Sequence, residues 1–194
     1  AAGQREIALR HLLDLQTPDG GWGWFKGMYP SQELTLYILK GMSQLTELNT
    51  VEYDQQEKEM QIKALKFVDK QIQSDYESLQ KIKNWQKNEI SPLEIEYLFV
   101  RSHYRDIPEL SSAREAIRYY TNLAEKQWNK QSIHGKGEIA WLMWRNGKKE
   151  IAGKIITWLR KTASTSPDKG MYWANNRRGA GTFTSPCLLY TSDA

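Results

Sequence analysis

The chain has 194 residues, of which 27 are basic and 23 acidic, for a formal net charge of +4, with 40% hydrophobic and 11% aromatic content. An aromatic content of this size excludes a disordered chain, and opposite charges stand side by side, as in Lys58-Glu59 and Lys148-Lys149-Glu150, so no like-charge run suggests a nucleic-acid partner. No apolar stretch approaches the roughly 18 residues of a membrane span, so no membrane contact is expected of this segment.

Apolar residues recur three and four apart along most of the chain, which predicts one-sided helices. Residues 4–16 place Ile7, Ala8, Leu12 and Leu15 on one face. A Gly- and Pro-rich loop follows over 17–30. Ser31 then opens a helix whose apolar residues are Leu34, Tyr37, Ile38, Met42, Leu45 and Leu48. Gly41 sits inside it, where it weakens the helix by about 1 kcal/mol relative to Ala, and is expected to admit a close neighbour. Residues 55–83 form a long helix with Met60, Leu65, Val68, Ile72, Tyr76 and Leu79 inward.

Ser91-Pro92-Leu93-Glu94 is a capping box with proline in the first turn, and the helix it starts carries Leu93, Tyr97, Leu98 and Arg101. Asp106-Ile107-Pro108 ends that run. Helices are expected over 110–129, 136–145 and 148–163, with Asn146-Gly147 as a stop. A short hairpin is possible at Met171-Tyr172-Trp173, and Thr184-Ser185-Pro186 reads as the start of a further helix. The tail from Cys187 to Ala194 reads as the translation of a sequencing adapter. The expected organisation is therefore an all-α domain over 1–186 and a non-native tail over 187–194. About seven helices joined by short connections favour antiparallel hairpins, and their unequal lengths suit a ring of helix pairs better than a regular solenoid.

The most specific local signal is Gln16-Thr17-Pro18-Asp19-Gly20-Gly21-Trp22-Gly23-Trp24-Phe25. Asp19-Gly20 favours a tight turn, and Trp22, Trp24 and Phe25 are expected to fold back over the mouth of a helix pair. Such a loop is either an aromatic platform for a ligand or a segment pinned by ring packing. His11, His103 and His134 lack the spacing of a helical metal pair, so no metal and no cofactor are expected. Glu94 and Glu96, two apart, point in different directions. Glu138 and Arg145 are a candidate ion pair of small consequence. No nucleophile elbow or phosphate loop occurs, and no catalytic residue is expected.

Ala8-Leu9-x-x-Leu12-Leu13-x-Leu15-Gln16-x-x-Asp19-Gly20-Gly21-Trp22-x-Trp24-Phe25-x-Gly27-Met28 resembles the thioester-domain region of the bacterial alpha-2-macroglobulin family. Leu34-Thr35-x-Tyr37-Ile38-Leu39-x-Gly41, Ile95-x-Tyr97-Leu98-x-x-Arg101-Ser102, Tyr119-Tyr120 and Gly170-Met171-Tyr172-Trp173 extend the resemblance over nearly the whole chain to about Pro186. It implies an incomplete α/α toroid of antiparallel helical hairpins. It also implies a segment of a protease trap in a bacterial cell envelope, periplasmic or outer-membrane-associated, not an enzyme in itself. Its partners would be proteases, met through the full-length protein, and other domains of the same chain.

The family's Cys-x-Glu-Gln thioester motif does not occur in this sequence, so no reactive residue carries over. The Gln16 to Trp22 element also resembles triterpene cyclases, although no Asp-x-Asp-Asp acid motif accompanies it. A glycan-binding α/α barrel is the third reading, which needs exposed tryptophans beside a carboxylate pair.

Overall fold

A computed structural model of the chain describes residues 2–48, 52–168 and 170–173. Among them are seven α-helices: α1 (Ala2–Leu15), α2 (Gln32–Glu47), α3 (Gln55–Gln80), α4 (Pro92–His103), α5 (Arg114–Gln127), α6 (Ile133–Arg145) and α7 (Lys149–Thr162). The expected hairpin is present and small: β1 (Ser164–Ser166) pairs antiparallel with β2 (Gly170–Tyr172), and Trp173 donates its indole N–H to the Leu159 carbonyl at 3.0 Å. The protein is mostly helical, and no described helix is long and apolar enough to cross a membrane. The start at Thr184 and the tail from Cys187 lie outside the described residues.

Local chemistry sets the helix starts. Ser91 accepts from the Glu94 amide while Glu94 returns a hydrogen bond to the Ser91 amide. Pro92 fills a first-turn position that needs no donor. Asp54 and Glu57 make the same reciprocal cap on α3, and Ser31 caps α2 through the Leu34 amide. The expected helix at 136 starts three residues earlier, because Ser132 caps the Gly135 amide and offsets two glycines in the first turns. The expected 110–129 helix is α5 with a 3-10 turn at each end, Ser111–Ala113 and Trp128–Lys130. Gly147, at φ 77°, supplies the left-handed stop after α6.

The helices alternate between two layers. α2, α4 and α6 pack side by side in chain order, while α1, α3 and α5 lie behind them, α3 against α2 and α4 and α5 against α4; α7 covers α6. The expected inward row of α3 is buried from Met60 to Tyr76. A polar knot joins α3 to α4. Asp69, only 1% exposed, accepts from the Tyr97 hydroxyl at 2.7 Å, from Arg101 Nε at 3.1 Å and Nη2 at 3.3 Å, and from the Leu110 amide at 3.0 Å. Burial and the Asp69 charge push the Tyr97 hydroxyl well above its ordinary value, so it remains a donor.

Two faces differ from expectation. On α1 the buried residue is Leu9, with Leu12 and Leu13 half-buried, whereas Ile7 and Leu15 are exposed. On α2 Met42 is buried and Leu34 and Ile38 pack half-buried on the core as expected, but the buried face is centred on Leu36, Leu39, Lys40 and Ser43, and Tyr37, Leu45 and Leu48 are exposed. Leu39 and Met42 lend their carbonyls to the hydroxyls of Tyr104 and Tyr53. A Cβ on Gly41 would meet nothing within 4 Å, so the close neighbour expected there is not one of the described residues.

Candidate functional site

The glycine-rich loop between α1 and α2 is fastened at several points. Gln16 donates to the carbonyls of Gly20 at 2.8 Å and Met60 at 2.9 Å, and Gly20 donates to the Thr17 carbonyl at 2.9 Å. Gly20 has φ 97°, and a Cβ there would lie 2.4 Å from the Lys63 carbonyl oxygen, so only glycine fits the turn. Trp22 is 2% exposed; its indole donates to the Leu12 carbonyl at 2.8 Å and its amide to the Thr35 hydroxyl at 3.0 Å.

The structure separates the four residues that the sequence groups. Trp22 is a core residue that ties α1 to α2. Asp19 lies at the exposed turn, Trp24 is partly exposed, and Phe25 is 76% exposed. Phe25 therefore does not fold back with Trp22. Phe25→Ser is expected to change stability by no more than about 0.5 kcal/mol. Chemical denaturation checks this, and a larger loss would mean that Phe25 packs on the protein.

The layer α2–α4–α6 holds a second constellation, which sequence spacing does not reveal. Lys40 on α2 places Nζ 2.7 Å from Glu138 on α6 and 3.5 Å from Glu96 on α4. It also sits 5.0 Å from the centroid of the Phe99 ring. His134 Nε2 is 3.0 Å from the same Glu138 oxygen. Burial pushes Glu138 up, but His134 and Lys40 outweigh it and hold the carboxyl below its usual range. Glu96 is raised by burial, with the Glu138 charge adding to the effect against Lys40. The two shifts differ in sign because His134 bonds Glu138 alone and the shared ammonium also sits closer to Glu138.

Beside it, Glu47 on α2 accepts from His103 Nδ1 at 2.7 Å and from Arg145 Nη2 at 2.6 Å. The expected Glu138–Arg145 pair is therefore replaced: each has a different partner, drawn from α2. His103 stacks on Trp141 with an interplanar angle of 17°, Arg145 lies 5.2 Å from the Trp141 centroid, and Trp144 tilts against Trp141 at 5.6 Å. Residues 40 and 47, 96, 99 and 103, and 134, 138, 141 and 145 each fall on one face of their helix. That spacing was present in the sequence; the partnership among three separate helices was not.

The His103 side chain is 3% exposed, and burial holds the imidazole below its ordinary 6.5 against the pull of Glu47. Arg145 and Lys40 add to the depression. The neutral ring donates Nδ1–H to Glu47. The folded protein resists a proton that the unfolded chain accepts, so this contribution is full above pH 6.5 and is lost as pH falls through it. Stability between about pH 7 and pH 5 is expected to fall more steeply in the wild type than in His103→Gln. Equal slopes in urea titrations would refute this.

Two carboxylates at one lysine form an acid–base pair only when the lysine leaves them; in place, the three charges tie α2, α4 and α6 together. Among the described residues no group of His, Cys, Asp and Glu side chains is arranged to hold a metal ion. A cleft of about 300 Å³ opens at the far end of α4, lined by Arg101, Ser102, Arg105, Glu109 and Thr121 among others, with Arg101 already committed to Asp69. Compared with known protein families, curated proteins and solved structures, the chain matches none.

Proposed function

We propose that this chain is a helical-ring segment of an alpha-2-macroglobulin-like protease trap of a bacterial cell envelope. In that reading it is an incomplete α/α toroid of antiparallel hairpins. It serves as a scaffold and not as an enzyme. Its partners are proteases, met through the whole protein, and the other domains of the same polypeptide. The observation that supports it most is the alternation of helices between two layers, α2–α4–α6 in front and α1–α3–α5 behind, in strict chain order. The Gln16–Trp22 loop fits the same role, since its polar groups are used to fasten the first two helices.

The test uses the full-length polypeptide encoded at the genomic locus. Incubated with an endopeptidase, it should abolish cleavage of a large protein substrate while leaving cleavage of a small peptide intact, because a caged protease still admits small molecules. Equal cleavage of both substrates with and without the protein rejects the trap.

A second reading, an α/α barrel acting on glycans or polyenes, gains from one observation: Glu96 and Glu138 meet at Lys40, with Trp144 and Tyr37 exposed. It requires turnover of such a substrate that is lost in Glu138→Gln.

A further inference from the structure

The loop between α1 and α2 ends in a finger with a fixed shape. Its base is the antiparallel bridge between Trp22 and Ser31, where the Ser31 amide donates to the Trp22 carbonyl at 2.8 Å. The two arms lie against each other at Gly23, where a Cβ would stand 2.9 Å from the Met28 carbonyl oxygen. The tip is a tight turn, Phe25-Lys26-Gly27-Met28. The Met28 amide donates to the Phe25 carbonyl at 3.1 Å, and Gly27 takes the positive φ, 87°, that the third position of such a turn requires. Because the buried Trp22 ties the base to α1 and α2, the tip is held on a rigid support. Every residue from Trp24 to Tyr29 is exposed, Met28 at 48% and Tyr29 at 96%. Four of those six side chains are aromatic or a methionine, an apolar density that marks a contact surface.

The chemistry of the tip selects what it meets. A sugar site sets carboxylates and amides beside its rings, and residues 23–30 contain neither; Lys26 is their one charged residue. Tryptophan, phenylalanine, tyrosine and methionine around a single lysine are the composition of a segment at the boundary of lipid headgroups and acyl chains. There the rings enter the apolar layer, while the phenol hydroxyl and the ammonium stay among the headgroups. Charge at the base agrees. Gly20 packs on Lys63 and Gly21 on Phe67, and Lys63, Lys66 and Lys70 occupy the exposed side of α3 there. Asp19 and Glu33, at the base of the finger, and Glu59 on α3 are the opposing acids, and none is in the tip. We propose that this finger anchors the chain to the surface of an anionic bilayer: Phe25, Met28 and Tyr29 dip into one leaflet, with Lys26 at the phosphates and the α3 lysines above them. Lying on one leaflet needs no spanning run, so the lack of a membrane-crossing helix among the described residues does not oppose it. It replaces the expectation that this segment meets no membrane, and it does not rest on the protease-trap reading.

Flotation of the chain with vesicles of phosphatidylcholine and phosphatidylglycerol tests it. The chain is expected to float with them at low salt, to float less as salt rises, and to bind vesicles of phosphatidylcholine alone more weakly. Phe25→Ser is expected to keep the helical circular dichroism and the melt, because the ring is exposed, and to weaken vesicle binding by about tenfold. Tyr29→Ser should act in the same direction. Met28→Cys in a Cys187→Ser background, carrying a polarity-sensitive dye, is expected to shift its emission to the blue on the vesicles and to be quenched by lipids brominated in their acyl chains. A chain that does not float at low salt overturns the proposal. So does binding that Phe25→Ser and Tyr29→Ser together leave unchanged, which is the result for a basic protein held by charge alone. If a photo-crosslinker at position 25 of the full-length polypeptide, with the vesicles present, joins another part of that polypeptide instead of lipid, the occupant is protein and the membrane reading falls.

Discussion

Asp69→Ala is expected to remove about 3–5 kcal/mol of stability, because it leaves a buried guanidinium without its counterion. Against the roughly 5–15 kcal/mol that holds a typical domain together, that is enough to bring this one close to unfolding at ordinary temperature. Three groups depend on the one carboxylate: Arg101, the Tyr97 hydroxyl and the Leu110 amide. Arg101 has one other acceptor, the Tyr104 carbonyl at 3.1 Å, which carries no full charge. Tyr97→Phe, which removes one donor and leaves the charge pair, should lose less, about 1.5–3 kcal/mol. Arg101→Met should resemble Asp69→Ala, and the double variant should lose less than the sum of the two, since the second change removes the stranded charge. Urea unfolding of the four proteins gives the cycle. Additive losses, or a loss below about 1 kcal/mol for Asp69→Ala, would show that the knot is not what joins α3 to α4.

Much of this fold was legible because its signals are local. A capping box, a proline in a first turn and a run of inward residues such as Met60, Leu65, Val68 and Ile72 all act within a few residues, and α3 and α4 follow them closely. α2 was legible as a helix but not in its orientation. It is apolar on two sides, and periodicity alone favours the larger one, from Leu34 to Leu48. The packed side includes Lys40 and Ser43, which pattern reading places in water. Lys40 can be buried because its carboxylate partner Glu138 stands 98 residues further along the chain, a pairing that no local window contains. The acid pair is hidden for the same reason: the sequence sets Glu96 beside Glu94 on its own helix, while its neighbour in space is Glu138 on α6. In the aromatic loop the turn was readable from Asp19-Gly20, but which ring would be buried was not. That choice depends on the Leu12 carbonyl, which accepts from the Trp22 indole, and on the Thr35 hydroxyl, which accepts from the Trp22 amide.

Lys40→Met should be as damaging as the loss of Asp69, at about 3–5 kcal/mol near neutral pH, and its pH dependence should set it apart. Methionine keeps most of the side-chain stem over Phe99, so the change is chiefly the loss of a charge. Glu96 and Glu138 are then two buried carboxylates without their ammonium, and His134 still faces Glu138. In the wild type the Glu138 carboxyl is held below its ordinary 4.5, so it adds stability above that pH and the contribution is lost as pH falls through its folded value. Burial already raises Glu96, and with the ammonium gone that carboxyl should take up a proton still more readily in the folded protein than in the unfolded chain, while His134 still faces Glu138. Stability of the variant should therefore recover as pH falls toward the carboxylate range, and the gap from the wild type should narrow. Glu138→Gln added to Lys40→Met should restore part of the loss at neutral pH by removing one of the stranded charges. Urea melts of the wild type and both variants at neutral and mildly acidic pH decide the matter. A gap that stays constant with pH would assign the loss to packing at Phe99, and the three charges would then be incidental to how α2, α4 and α6 are held.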